Sequence, residues 1–283
     1  MSSITISAPA KINLTLTITG RRHDGYHLLE SLFQSISLCD TLTVETAGKG
    51  FVLDSDTDIP TDDNIITAAD RVLRQMFPKM PGLRVTLEKN IPQQAGLGGG
   101  STDCAAYLRA ANELCRLGLS RDELMNIGAG LGADVPFCVC GGTALVRGIG
   151  EIVTPVKSGL SLDLVIVKPP VCCSTPAMYR RIDELGDDLK QNFSTSDAAD
   201  ALISGDIQKL CSCLYNVFEA AADNKEISDA RSILLENGAS GVLLSGSGSS
   251  VFGIFKNEES AKNAAEIISK DRWAKACKTI LSI

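Results

Sequence analysis

The sequence predicts an α+β protein. Some stretches alternate apolar and polar residues with period two, as half-buried strands do. Others repeat apolar residues at three- and four-residue intervals, as amphipathic helices do. The two kinds are mixed without a regular βα alternation, which argues for two layers in each half rather than a doubly wound sheet.

Ile4 to Thr19 reads as a strand. Ile12, Leu14, Leu16 and Ile18 share one face, predicted to be the buried one, and Lys11, Asn13, Thr15 and Thr17 share the other. Lys11 and Asn13 then point the same way, about 7 Å apart. That face is either solvated or aimed at a ligand. Gly20 to His27 follows, with Asp24-Gly25 as a turn signal. It carries both histidines of the chain, His23 and His27, with Arg21, Arg22 and Tyr26. An ordinary polar hairpin and a reader of planar or anionic ligands both fit that composition.

Leu28 to Ser37 resumes a strand pattern, and Leu42 to Glu45 and Phe51 to Leu53 read as short strands. Asp62, Asp63 and Asn64 supply helix-start chemistry. Ile65, Ile66, Ala69, Val72, Leu73 and Met76 form the stripe that follows, ending at Pro78. Leu83, Val85 and Leu87 alternate into Ile91 and Pro92.

The next stretch is Pro92, Gln93, Gln94, Ala95, Gly96, Leu97, Gly98, Gly99, Gly100, Ser101, Thr102. A helical stripe follows it (Ala105, Leu108, Ala111, Leu114, Cys115). A glycine-rich loop opening a helix offers backbone N–H groups and a partial positive charge to an anion. It is neither of two common phosphate loops. A Walker loop needs Lys before its Ser/Thr, where Gly100 stands, and a dinucleotide fingerprint needs Gly where Ser101 stands. A flexible turn is the alternative, at a high entropic cost for so many glycines.

Ser120 and Glu123 form a capping box for a helix toward Gly130. Asp134 follows in an apolar neighbourhood, either as a cap of the next short turn or as a reactive carboxylate. Thr143 to Val146 and Leu162 to Val167 read as strands, and Pro169-Pro170 as a break. We place a boundary there, with domains 1–168 and 169–283. Thr175 to Asn237 is mostly helical in pattern and includes an acidic stretch, Asp183 to Asp188. Val242 to Leu244 and Val251 to Phe255 flank a second Gly/Ser loop, Ser245 to Ser250, which is either a tight hairpin or an approach to a ligand. Glu258 to Ser269 is an amphipathic helix, Trp273 a packing residue, and Lys275 to Ile283 a last strand.

Composition narrows the function classes. Hydrophobic residues make up 44%, enough for a sizeable core. The net charge of −7 argues against an extended nucleic-acid surface. With no apolar run long enough to span a bilayer and no leader pattern, a cytoplasmic protein without membrane contact is expected. The ten cysteines include no C-x-x-C pair, so they read as small buried hydrophobes in a reducing compartment rather than zinc ligands.

Taken together, three stretches resemble the GHMP kinase superfamily: Pro9 to Leu14, Gly96 to Thr102 in its loop, and Leu244 to Ser249. Asp24-Gly25-Tyr26-His27 and Gly132-Ala133-Asp134-Val135-Pro136 look like the branch whose substrate carries a cytidine diphosphate. The resemblance runs essentially end to end. It implies an N-terminal α+β domain like ribosomal protein S5, a C-terminal ferredoxin-like α+β domain, and an active site in the cleft between them. It implies ATP and Mg²⁺, a small-molecule acceptor with a cytidine diphosphate moiety, and a monomer or weak homodimer.

Residue by residue, the resemblance makes Asp134 the group that accepts or orients the acceptor's proton, and Lys11 the group that stabilises the alkoxide and holds Asp134. The loop Pro92 to Thr102 would bind ATP, with Asn64 and Ile65 near the adenine. Ser101 or Thr102 would offer a hydroxyl to Mg²⁺ or to the β-phosphate. Asn13, Gly246 and Ser247 would bind the substrate. His27 would read the cytosine edge, and the rings of Tyr26 and Tyr179 would sandwich the base. Beyond Asp134 no dedicated acidic metal ligand is apparent, so the metal is expected to be held chiefly by ATP.

Overall fold

The computed structural model describes residues 2–56, 60–186 and 194–282. The chain divides into two compact units. The first comprises Met1–Ala10, Leu38–Ile91 and Gly98–Cys140; the second comprises Lys11–Ser37, Pro92–Leu97 and Gly141–Ile283. Two long strands, β1 (Ser3–Arg21) and β2 (His27–Ala47), contribute residues to both.

In the first unit, β3 (Phe51–Ser55) runs parallel to β4 (Gly82–Glu88), and β4 pairs antiparallel with the end of β2, from Thr41 opposite Glu88 to Ala47 opposite Gly82. The alternation in β4 is regular: Leu83, Val85 and Leu87 are buried, Arg84 and Thr86 exposed. Four helices complete the unit: α1 (Ile65–Met76), α2 (Gly99–Leu114), α3 (Arg121–Ala129) and α4 (Val135–Cys140). Asn64 caps α1 by accepting from the Ile66 N–H at 2.9 Å, and a short 3-10 turn, Thr61–Asp63, precedes it. The Ser120–Glu123 capping box starts α3 as the sequence predicts. Between α1 and α2, the Tyr107 hydroxyl donates to Asp70 Oδ1 at 2.6 Å, and Arg74 holds the other oxygen at 2.7 Å.

In the second unit, β5 (Thr143–Gly148) pairs with the start of β2 and with β6 (Ile152–Pro155). A two-residue strand, β8 (Tyr215–Asn216), lies parallel to β1 at Thr15 and Leu16. The remaining strands are β7 (Asp163–Lys168), β9 (Gly241–Leu244), β10 (Val251–Phe255) and β11 (Trp273–Lys278). They form an antiparallel sheet in the order β11-β7-β10-β9. Helices α5 (Thr175–Leu185), α6 (Thr195–Ser204), α7 (Ile207–Ser212) and α8 (Lys225–Glu236) precede β9, and α9 (Glu258–Ile268) precedes β11. This succession of strand, helices, two strands, helix and strand is the split βαβ arrangement of ferredoxin-like domains. Its core packs Val165, Val167, Leu244, Val251 and Phe255 against Leu234, Ala261 and Ile268.

Four readings of the sequence change. Residues 42–45 are not a separate short strand but the end of β2. The polar face of β1 is not solvated: Lys11, Asn13, Thr15 and Thr17 are buried like their apolar neighbours. The last strand ends at Lys278, after which Thr279 forms an isolated bridge to Ile36 and exchanges hydrogen bonds with Leu162. Strands β6 and β8 carry too few residues for a periodic signal. Of the acidic stretch, Asp183 lies in α5, while Asp187 and Asp188 are outside the described residues. The cysteines are free; five of the ten are buried, whereas Cys172 is exposed rather than packed in a core. No described helix is long and apolar enough to cross a membrane.

Replacing Tyr107 with Phe should destabilise the chain by about 1–3 kcal/mol, because Asp70 then keeps a buried oxygen with one donor fewer. The urea midpoint measures this, and an unchanged midpoint would show that the bond contributes nothing.

Candidate active site

The inner face of β1 places a cation. Lys11 is 5% exposed. Its Nζ donates to Asn13 Oδ1 at 2.9 Å and sits 4.7 Å from the centre of the Phe33 ring. Asn13 Nδ2 donates in turn to Ser31 Oγ at 3.0 Å, and the Ser31 hydroxyl donates to the Thr15 carbonyl. The spacing of two puts Lys11, Asn13 and Thr15 on one face, and β2 supplies the partners.

The second Gly/Ser loop meets the same cation. A Cβ on Gly246 would lie 3.3 Å from Lys11 Nζ. Asn216 Nδ2 fixes this loop by donating to the carbonyls of Leu244 and Gly246, both at 2.8 Å. Ser247 Oγ is 2.7 Å from Thr175 Oγ1 at the start of α5. The leading half of the glycine stretch docks here. Lys11 N–H donates to Leu97 O at 2.9 Å, Ser250 N–H to Ala95 O at 3.1 Å, and the Ser245 hydroxyl to Gly96 O at 3.0 Å. Gly96 has φ +74°, and a Cβ there would stand 2.0 Å from the Ser245 carbonyl oxygen, so no other residue fits.

In the first unit, Gly98 enters α2 in the left-handed conformation and lends it no side-chain cap. A sixteen-residue helix therefore begins with backbone N–H groups unserved by a side chain, the setting for an anion. Thr102 is buried and its hydroxyl donates to the Pro9 carbonyl at 2.7 Å, so it ties α2 to β1. Ser101 is half-buried. Ile65, Gly100, Ser101 and Gly132 come together: a Cβ on Gly132 would be 3.4 Å from Ile65 Cδ1 and 3.9 Å from Ser101 Oγ, and one on Gly100 would be 4.0 Å from Ile65 Cγ2. Asp134, half-buried, follows two residues later, and its carbonyl accepts from the Cys138 N–H at 3.1 Å in the first turn of α4.

Sequence reasoning missed a buried cluster beside α2. Lys89 Nζ pairs with Asp40 and, at 2.7 Å, with Asp103 Oδ2. Asp40 Oδ1 also accepts from the N–H groups of Asn90 and Ile91, at 2.6 and 2.7 Å. A Cβ on Gly99 would lie 3.3 Å from Lys89 Nζ. The signal was present: Leu83, Val85 and Leu87 point inward, and period two continues to Lys89. Burial pushes the Asp103 carboxyl up to about 8, Lys89 opposes that rise, and Asp40 adds to it. For Lys89, burial pulls the ammonium down and the two carboxylates more than offset this. Burial thus holds the Asp103 carboxyl well above the usual carboxylate range, and the neighbouring acids keep Lys89 charged.

The Gly20–His27 turn closes on itself, with Gly25 N–H donating to Arg22 O at 2.9 Å and Arg22 N–H to Tyr26 O at 2.7 Å. Tyr26 is 61% exposed. His27, at the start of β2, stacks on Tyr179 of α5 with centroids 4.7 Å apart and planes 13° apart. Phe218 meets Tyr179 edge-on at 4.9 Å. His27 Nε2 is 2.7 Å from Asp183 Oδ1. Of the base-reading residues that the sequence suggests, His27 and Tyr179 are thus in direct contact, and Asp183 is an addition.

A sequence profile for the GHMP kinases N terminal domain matches residues 64–142, and one for GHMP kinases C terminal matches residues 198–275. The chain belongs to the GHMP kinase family. The 4-diphosphocytidyl-2-C-methyl-D-erythritol kinase of Caldicellulosiruptor bescii is 40% identical over 92% of each chain. That of Clostridioides difficile is 40% identical over 92% of this chain and 90% of its own. A crystal structure of 4-(cytidine 5'-diphospho)-2C-methyl-D-erythritol kinase superposes with a TM-score of 0.85 at 33% identity, over 98% of this chain and 99% of that one. The mevalonate kinase of L. major matches at TM-score 0.78 and 18% identity over 99% of this chain and 98% of its own, and that likeness shows the fold alone. The chain is a small-molecule kinase, with ATP as its phosphoryl donor.

The buried cluster makes stability depend on pH. Asp103 has a raised pKa in the fold, so its contribution is full below about pH 4 and is lost as pH rises through about 8. Asp103→Asn should flatten the decline in Tm across that window. Lys89→Met, which strips two buried carboxylates of their cation, should destabilise by about 3–5 kcal/mol. A Tm profile for Asp103→Asn parallel to the wild type would refute the raised pKa of Asp103.

Proposed function

We propose that this kinase moves the γ-phosphoryl of ATP to the 2-hydroxyl of 4-diphosphocytidyl-2-C-methyl-D-erythritol. The products are the 2-phosphate and ADP, a step of the methylerythritol phosphate route to isopentenyl diphosphate and the isoprenoids. The observation that carries the reading is the stack of His27 on Tyr179 behind the Asp24–His27 turn. A base paired edge-on with His27 lies in the plane of the imidazole, hence parallel to Tyr179 within the 13° between the rings. A mevalonate or homoserine kinase has no base to read.

Phosphoryl transfer needs positioning and charge stabilisation more than covalent chemistry. The uncapped N–H groups at the start of α2 and the loop Pro92 to Thr102 take the phosphates. Asn64 and Ile65 border the adenine. Asp134 accepts or orients the proton of the acceptor hydroxyl, and Lys11 stabilises the oxygen as its charge develops. Asn13, already aligned by Lys11 and Ser31, bonds the substrate along the same strand face, and Gly246 and Ser247 close over it. A carboxylate is a weak base for an alcohol, with a reference pKa of about 4, so orientation is the larger part of the Asp134 role.

Mg²⁺ fits this donor set as a companion of ATP. The described residues hold no group of three or more His, Cys, Asp or Glu that could cage an ion, and Mg²⁺ ordinarily binds through one or two carboxylates plus substrate phosphates. The metal would then be held chiefly by ATP. When bound, Mg²⁺ neutralises charge on the β- and γ-phosphates.

Asp134→Asn should retain ATP and cytidyl-substrate affinity and lose turnover at least about a hundredfold, read by steady-state kinetics beside calorimetric titration. Unchanged turnover would remove Asp134 from the mechanism. Mevalonate and homoserine should give no turnover; activity on either comparable to that on the cytidyl substrate would overturn the substrate assignment.

A further inference from the structure

We infer that Asp183 determines which base His27 reads, by fixing the direction in which the imidazole offers its hydrogen bond. The inference rests on the role given to His27 in the proposed function. Tyr179 and Asp183 stand one turn apart on α5, at i and i+4, where side chains share a face. That single turn holds His27 in two ways. Tyr179 takes the face of the ring, and Asp183 Oδ1 takes its edge at Nε2, 2.7 Å away.

An imidazole nitrogen facing a carboxylate carries the hydrogen. Nδ1 is then the ring's second hydrogen-bonding atom, and in the neutral ring it is an acceptor. Cytosine offers an N4 amino donor at the matching edge, whereas uracil offers the O4 acceptor. The other tautomer, with its hydrogen on Nδ1, would present an N–H to the base instead, and O4 of uracil would accept it. Asp183, which needs the hydrogen on Nε2, opposes that tautomer. Its other oxygen lies 3.5 Å from Arg21, whose Nε donates to the Gly25 carbonyl at 3.1 Å, inside the turn that bears Tyr26. The Arg21 and Asp183 side chains are 56% and 37% exposed, so their mutual attraction contributes little. The His27 side chain is only 12% exposed, and its bond to Asp183 is the sheltered one.

The experiment compares Asp183→Ala, Asp183→Asn and His27→Ala in the full chain, with the cytidyl substrate, its uridyl counterpart and ATP. Asp183→Ala should raise KM for the cytidyl substrate about tenfold and lower the cytidyl-over-uridyl ratio of kcat/KM by a similar factor, the scale of one lost hydrogen bond to a charged group. The KM for ATP and kcat should stay within about twofold. Asp183→Asn keeps an acceptor oxygen and should recover both quantities to within about threefold of wild type. A wild-type ratio in Asp183→Ala overturns the inference. So does an Asn variant as impaired as the Ala variant, because the pair with Arg21 would then be what matters. A parallel loss for ATP in Asp183→Ala would mean general disruption and also overturns it. His27→Ala separates the two levels. If it leaves the cytidyl substrate unaffected, the His27 reading itself falls; if it abolishes discrimination while Asp183→Ala preserves it, only the role of Asp183 falls.

Discussion

A lysine ammonium on the inner face of a strand must be met by polar atoms, because burying an unmatched charge is prohibitively unfavourable. Much of the second unit follows from meeting that demand for Lys11. Asn13 presents its carbonyl oxygen, and Phe33 presents the negative face of its ring. Asn13 must then dispose of its own amide hydrogens, which it does on Ser31, and Ser31 donates to Thr15 O. A line of polar side chains thus runs through a core, each fixed by the next. Satisfied networks of this kind are rigid, and the role proposed for Lys11 beside a reacting oxygen would draw on that rigidity.

The second constraint is close approach of backbone to backbone. The Ala95–Leu97 segment and the Ser245–Ser250 loop exchange hydrogen bonds at distances that leave no room for a Cβ at Gly96, and Gly246 leaves room for the Lys11 ammonium. The glycines of these segments therefore serve two ends. Some lend conformational freedom, as Gly98 does in entering α2, and others remove bulk so that polar backbone and a cation share a small space. A buried loop carries its peptide groups with it, and here they pair with each other or with Asn216.

Legibility in the sequence followed the length of each pattern. The helix capped at Asn64, the capping box at Ser120, and strands β4 and β10 were readable because period and punctuation agree there. Strand β8, with two residues, was not, since it exists by pairing with β1. The polar face of β1 misled in an instructive way: alternation distinguishes two faces but does not say whether the polar one meets solvent or a polar core. The glycine stretch suggested an anion site from local chemistry, and the turn that bears His27 left a polar hairpin and a ligand reader equally open until the family resemblance was added. Asp183 and Asp40 gave no comparable sign. Each acts through a partner 156 or 49 residues away, and such pairings are properties of the fold rather than of a window of sequence.

The absence of a Walker lysine in the glycine stretch has a physical counterpart in the same unit. Lys89 stands near Gly99, where it could be thought to replace the missing cation. Its ammonium is shared between Asp40 and Asp103, however, and Asp40 also accepts from the backbone at Asn90 and Ile91. The cluster therefore adds little net field toward a phosphate and much local stiffness, since it joins the end of β4 to the first turns of α2. Attraction for an anion at the start of α2 is left to the N–H groups and the helix dipole, which act over about one turn and need the ligand seated close. A helix start that binds by proximity would have to be held in shape before a ligand arrives, and the buried Lys89 cluster is placed to hold the start of α2.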